Sequence, residues 1–250
     1  MIHSFLLIGQ SNAAGRGYLH EAEPLETCDG RLLVARNGLW LKMFRPVNPD
    51  RKFSGTCLAE TFAKAYAEAN PDIQVGIVPC ADGGTTIAQW QPGEILFDNA
   101  VNCARLAMRS SYLAGILWHQ GEGDCQPDRY PIYGQQLQNV INGLRSSLDR
   151  QDLPVLVGGL GDFLKYRKEA EHLENYEKIN AALQKVAEVD TYCAYVPAHG
   201  LSANPDNLHF SAASLSEFGY RYFEAYNSLP FTNDPVNTYD NTERTELEQL

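Results

Sequence analysis

The chain has 250 residues, 44% of them hydrophobic and 20% charged, which suits one α/β domain with a substantial core. Its formal net charge of −11 excludes a nucleic-acid binder, which needs a basic surface against phosphate, and excludes docking on an anionic membrane for the same reason. A neutral or cationic small molecule, or an uncharged glycan, fits that charge.

In chain order, residues 3–8 read as a short buried strand ended by Gly9. The apolar run within it, residues 5–8, is too short for the hydrophobic region of a signal peptide, and no basic residue precedes it. No window approaches the roughly 18 apolar residues of a membrane span, so the chain reads as cytoplasmic. Residues 31–36 could form another strand, opening an irregular stretch through Pro49. An amphipathic helix over residues 57–69 stops at Asn70-Pro71, and residues 73–78 make a second core strand. Residues 95–109 are helical, with Ile95, Ala100, Val101, Ala104 and Met108 near one face, and residues 113–118 form a third strand. A long helix over 130–148 carries Tyr133, Leu137, Val140, Ile141 and Leu144 at helical spacing. A strand at 154–158, a helix at 170–189, a fifth strand at 192–197 and a helix at 213–226 complete the pattern. Five strands separated by helices predict a parallel sheet with right-handed crossovers and helices on both faces.

The end of the chain differs. It is rich in Asn, Thr, Asp and Glu, contains Pro230 and Pro235, and reads as a polar acidic tail over residues 229–250, with 242–250 as a frayed helix. The six cysteines, Cys28, Cys57, Cys80, Cys103, Cys125 and Cys193, contain no CxxC pair. They read as reduced, mostly core-filling thiols rather than disulfides or zinc ligands.

In an open parallel sheet, ligands bind beyond the carboxyl ends of the strands. Strand one ends in Gly9-Gln10-Ser11-Asn12, so Ser11 is positioned as an exposed nucleophile; the alternative is a serine that caps a helix. The segment departs from the G-x-S-x-G elbow at Ala13 and lacks the lysine of a phosphate loop. Asp206-Asn207-Leu208-His209 follows the fifth strand. A serine needs a base, an imidazole serves near neutral pH, and a carboxylate three residues earlier can orient that ring. A turn or a metal site would explain the same spacing. His119-Gln120-Gly121-Glu122 ends strand three, where a glutamine amide can donate to an oxyanion. Gly83-Gly84 follows strand two and lets a backbone N–H approach substrate, unless it is a plain turn. The strand ends lack the remaining ligands for a metal at His119 and Glu122.

Gly-Gln-Ser-Asn, Gly-Gly-Thr, His-Gln-Gly-Glu and Asp-x-x-His, in that order, resemble the blocks of the SGNH-type hydrolases. Within them the chain is similar to the sialate O-acetylesterase-like and acetylxylan esterase group, carbohydrate esterase family 6, over nearly the whole domain. The resemblance implies a flavodoxin-like α/β/α sandwich with a five-stranded parallel sheet over residues 1–228, acting without metal or other cofactor on a small acetylated carbohydrate. It implies Ser11 as nucleophile, His209 as base and Asp206 as its carboxylate, with Glu122 near the histidine and able to share or replace that role. It also implies Ser11, Gly84 and Gln120 as oxyanion donors. Trp40, Trp90 and Tyr18 lie in loops and offer rings to a sugar face, with core packing as the alternative. Arg16, just past Ser11, offers a contact to a substrate hydroxyl or carboxylate. Rival readings are an esterase for aryl, lipid or thioester substrates, a carbohydrate-binding relative without turnover, and a metal phosphoesterase.

Overall fold

In the computed structural model, which describes residues 1–25 and 27–230, the elements in chain order are β1 (Ile2–Gly9), α1 (Ser11–Ala14), β2 (Leu32–Arg36), β3 (Leu39–Lys42), α2 (Leu58–Ala69), β4 (Gln74–Pro79), α3 (Ile95–Met108), β5 (Tyr112–His119), α4 (Tyr130–Ser147), β6 (Val155–Gly158), α5 (Tyr176–Val189), β7 (Cys193–Val196) and α6 (Ala212–Ser228). The seven strands form one sheet in the order β3-β2-β4-β1-β5-β6-β7. Every pairing is parallel except that of β2 with β3.

The five strands expected from sequence are β4-β1-β5-β6-β7, which is the flavodoxin-like order. The sheet has seven strands, not five, because a hairpin of β2 and β3 adds to the outer edge of β4. Its two-residue turn is Asn37-Gly38, both with positive φ (50° and 78°), the conformation that a tight hairpin demands. The Asn-Gly pair was the available signal. The β3 pattern hides it, since Leu39, Leu41 and Lys42 are all exposed on an edge strand and show no alternation.

β1 is central and covered on both sides, which is why Phe5, Leu6, Leu7 and Ile8 run as an unbroken apolar stretch with no exposure. Successive residues of β5 show the two layers. Trp118 points to Tyr133 of α4 and stacks edge-on with Trp90, whereas His119 points the other way, against Phe218 of α6 and Phe210. Helix α2 packs on α6, while α3 with α4 and α4 with α5 pack side by side. The helices match expectation within two residues, apart from the start of α5. There a tight turn over Glu171–Asn175 buries Leu173 before the helix begins at Tyr176. The polar tail and its expected helix at 242–250 fall outside the described residues from 231 onward. Cys57, Cys80, Cys125 and Cys193 are buried and none of the six cysteines is disulfide-bonded, as expected. No helix among the described residues is long and apolar enough to cross a membrane.

Candidate active site

Three strand ends meet around Ser11. β1 lies between β4 and β5, so the loops leaving all three converge where the chain reverses its direction across the sheet. Gly9 ends β1 with φ +127°, and a Cβ there would lie 2.0 Å from the carbonyl oxygen of His119. Only glycine allows that approach, and it lets Gln10 N–H bond His119 O at 2.9 Å. Ser11 is then the first residue of α1, nearly buried, with its hydroxyl turned to the loop between β7 and α6.

That loop carries the imidazole. Asn204 N–H bonds His209 O at 2.7 Å and Asn207 takes a positive φ of 50°, so the chain turns tightly between Asp206 and His209. His209 Nε2 lies 3.1 Å from Ser11 Oγ, and His209 Nδ1 lies 2.6 Å from Asp206 Oδ2. Asp206 Oδ1 accepts the backbone N–H groups of Leu208 and His209, at 2.9 and 3.0 Å. Partial burial pushes the Asp206 carboxyl up, but the bond from His209 and these two amides outweigh it and hold the carboxyl well below the ordinary range. The structure thus brings together Ser11, His209 and Asp206 in a hydroxyl–imidazole–carboxylate chain.

Glu122 does not join that chain. Its buried carboxyl accepts from Asn12 Nδ2 at 2.5 Å. The same Asn12 amide donates to Leu208 O at 3.2 Å and accepts Phe210 N–H at 3.1 Å. Glu122 therefore reaches the residues flanking His209, not the ring. His119 is fully buried between Phe210 and Phe218, and burial lowers its pKa, as expected of a neutral core imidazole.

The three residues expected as oxyanion donors differ in their surroundings. Among the described residues, neither Ser11 N–H nor Gly84 N–H has a protein acceptor. The neighbouring Gly83 N–H is taken by Asp50 Oδ2 at 2.9 Å, which leaves Gly84 as the free member of the pair. Gln120, contrary to expectation, has no amide hydrogen free to join them. Its side chain is fully buried, and Nε2 faces three acceptors: Gln10 Oε1 at 3.2 Å, Thr85 O at 3.1 Å and Asp124 Oδ2 at 2.6 Å. Acceptors on every side fix the amide's orientation, and its hydrogens are committed to the loops behind the site.

The pocket residues expected from sequence are placed elsewhere. Trp90 is 1% exposed, bonds Thr85 Oγ1 at 3.1 Å and packs edge-on to Trp118, so it is core. Trp40 lies across Gly76 of β4 and bonds Ser110, just before β5 starts, which puts it toward the amino ends of the strands. Arg16 is buried in a bidentate pair with Asp50, at 2.9 and 2.7 Å, and is not open to a ligand. Tyr18 is exposed and stacks on His20. Sequence reading assigned no role to Asn12, although it stands within the first motif; nothing local marks a residue whose partners are 110 and 198 positions away.

Comparison with known proteins gives the family and the fold. A family model described as carbohydrate esterase, sialic acid-specific acetylesterase, matches residues 1–228. A probable carbohydrate esterase of Arabidopsis thaliana is 27% identical over 245 residues, covering 89% of each chain. Its solved structure superposes with a TM-score of 0.78 at 24% identity, over 90% of this chain and 98% of that one. Two further structures share the fold at 19% identity and a TM-score of 0.69. NanS is covered over 96% of its length and 90% of this chain, and a carbohydrate acetylesterase from Xanthomonas citri over 56% of its length and 92% of this chain. With a match that spans the whole described domain, the chain belongs to the carbohydrate esterase family of sialic acid-specific acetylesterases.

Proposed function

We propose that the protein is a serine esterase that removes O-acetyl groups from sugars, acetylxylan or sialate O-acetyl esters, through an acetyl-enzyme intermediate. The observation that carries this reading is the Ser11–His209–Asp206 chain, with contacts of 3.1 and 2.6 Å at the carboxyl end of the sheet. Ser11 Oγ attacks the acetyl carbonyl while His209 Nε2 takes its proton. The carbonyl oxygen, now negative, is held by the N–H groups of Ser11 and Gly84. His209 passes the proton to the sugar oxygen, which leaves as a hydroxyl. A water deprotonated by the same ring then attacks the acetyl-enzyme, acetate leaves, and Ser11 regains its proton. Asp206 keeps the ring in the tautomer with Nε2 free and stabilises the imidazolium. Gln120 acts one step removed, bonding Thr85 O beside Gly84.

The test is acetate release from acetylated xylan oligomers and O-acetyl sialic acid, set beside longer acyl and aryl esters, with Ser11→Ala as control. Turnover should fall by three decades or more in the folded variant, and a serine-directed organophosphonate should label the wild type alone. Near-normal turnover by Ser11→Ala would end the reading. A preference for long acyl chains would move the substrate class away from acetylated sugars.

A further inference from the structure

The irregular stretch between β3 and α2 has a definite partner. Asn48 clasps Ala81 with two bonds, Nδ2 donating to Ala81 O at 2.9 Å and Oδ1 accepting Ala81 N–H at 3.0 Å. Asp50 Oδ2 accepts Gly83 N–H at 2.9 Å, and the Asp50 side chain is itself 4% exposed, pinned by Arg16 and by Ser54 Oγ at 2.8 Å. Arg51 completes the set, with Nη2 donating to Gly83 O at 2.9 Å and Nη1 to Asp82 Oδ1 at 2.7 Å. Residues 48–51 thus hold the turn 81–83 by its peptide groups and by one side chain.

The Gly83 carbonyl matters most. It belongs to the same planar trans peptide as the Gly84 N–H, so the two point in opposite directions, and fixing one fixes the other. Between two glycines no Cβ resists rotation of that peptide, and a flipped unit would present the carbonyl where the N–H should be. The turn sits against the nucleophile: a Cβ on Gly83 would lie 3.5 Å from Ser11 Cβ.

We propose that Arg51, seated on Asp82 and beside the buried Asp50, is a positioning residue that holds the Gly83–Gly84 peptide with its Gly84 N–H turned toward the oxyanion. This rests on the reading of Gly84 as an oxyanion donor. The guanidinium bonds the outward carbonyl, leaves the substrate free, and keeps the donor oriented before the charge develops, when orientation costs the reaction nothing.

Arg51 is 42% exposed, so its replacement leaves the core intact. With an aryl acetate, Arg51→Ala should lower kcat about tenfold or more, a fraction of the 10²–10³ lost with an entire oxyanion donor, while KM stays within about threefold. Affinity for an alkyl boronic acid, which becomes tetrahedral on Ser11, should fall by the same factor as kcat, read by calorimetry without turnover. Arg51→Lys, which retains a donor for Gly83 O, should recover part of both. Unchanged kcat in Arg51→Ala overturns the proposal. So does a higher KM at constant kcat, which would make Arg51 a substrate contact. A fall in kcat with unchanged boronate affinity overturns it too, because the donor would then be in place. Ser11→Ala separates the two levels: if it still turns over, the esterase reading fails, whereas strict dependence on Ser11 with indifference to Arg51 sinks this inference alone.

Discussion

Asn12 donates to the buried carboxyl of Glu122 at 2.5 Å, and with the rest of its amide grips Leu208 O and Phe210 N–H, the backbone on either side of His209. The residue after Ser11 therefore anchors the loop that carries His209, and Glu122 stands behind it. One side chain links the residue beside Ser11 to the backbone on both sides of His209; Asp206 bonds the ring itself, and Glu122 bonds only the Asn12 amide.

Those two carboxyls should separate in kinetics. Asp206 touches the ring, so Asp206→Asn should lower kcat on an aryl acetate about 10³- to 10⁴-fold through loss of the correct tautomer. Glu122→Gln still offers an oxygen to Asn12 and should cost about tenfold or less. Equal losses would show that Glu122 shares the role of Asp206.

Asn12→Ala removes three hydrogen bonds and leaves the Glu122 carboxyl and two backbone groups buried without partners. At about 1 kcal/mol for each bond, the domain should lose about 3 kcal/mol against denaturant. Activity should fall with it, since the His209 loop is released. A fully stable Asn12→Ala enzyme would contradict this account of the loop.

Stability should also fall in mild acid. Burial, with a smaller contribution from the nearby amino terminus, lowers the pKa of His3 from 6.5 to about 4, and His3 Nδ1 lies 2.7 Å from Tyr66 Oη. Because the folded value is below the unfolded one, the unfolded chain takes up its proton first as pH falls. The contribution of His3 is complete above about 6.5 and is lost progressively down to about 4. Buried His119, also lowered, adds in the same direction. Tm measured across this window should drop more steeply in the wild type than in His3→Gln; parallel curves would refute the assignment to His3.

Among the cysteines, Cys103 should react first. A hydrogen bond from Cys80 draws its pKa down to about 7 against the opposing effect of burial, while Cys80 itself is pushed up. Cys103 is also half-buried rather than sealed in the core. Brief iodoacetamide treatment of the native protein at neutral pH, mapped by mass spectrometry, should mark Cys103 ahead of the other five. Earlier modification of Cys28 would refute it.

Much of the sheet was legible because its signals are local. Apolar runs such as 5–8 and 113–118 mark strands covered on both faces, and Gly9 or Asn70-Pro71 mark where elements stop. β3 escaped because an exposed edge strand shows no alternation, although Asn37-Gly38 marked its turn. Trp40, Trp90 and Arg16 were misplaced for a related reason: a ring or a guanidinium has the same appearance in sequence whether it meets solvent, ligand or core. Their partners, Gly76, Trp118 and Asp50, decide the matter and lie at a distance along the chain.

Local pattern alone was enough to read the layered architecture and to single out Ser11, Asp206, His209 and a glycine pair after a strand as candidates. Which carboxyl meets the imidazole, which glycine N–H stays free and where the Gln120 amide is spent became visible once distant loops were brought together in the fold. Apolar burial tolerates error and is written in short-range periodicity. Hydrogen bonds are directional and fail within an ångström, and here they join residues as far apart as Ser11 and His209, 198 positions along the chain.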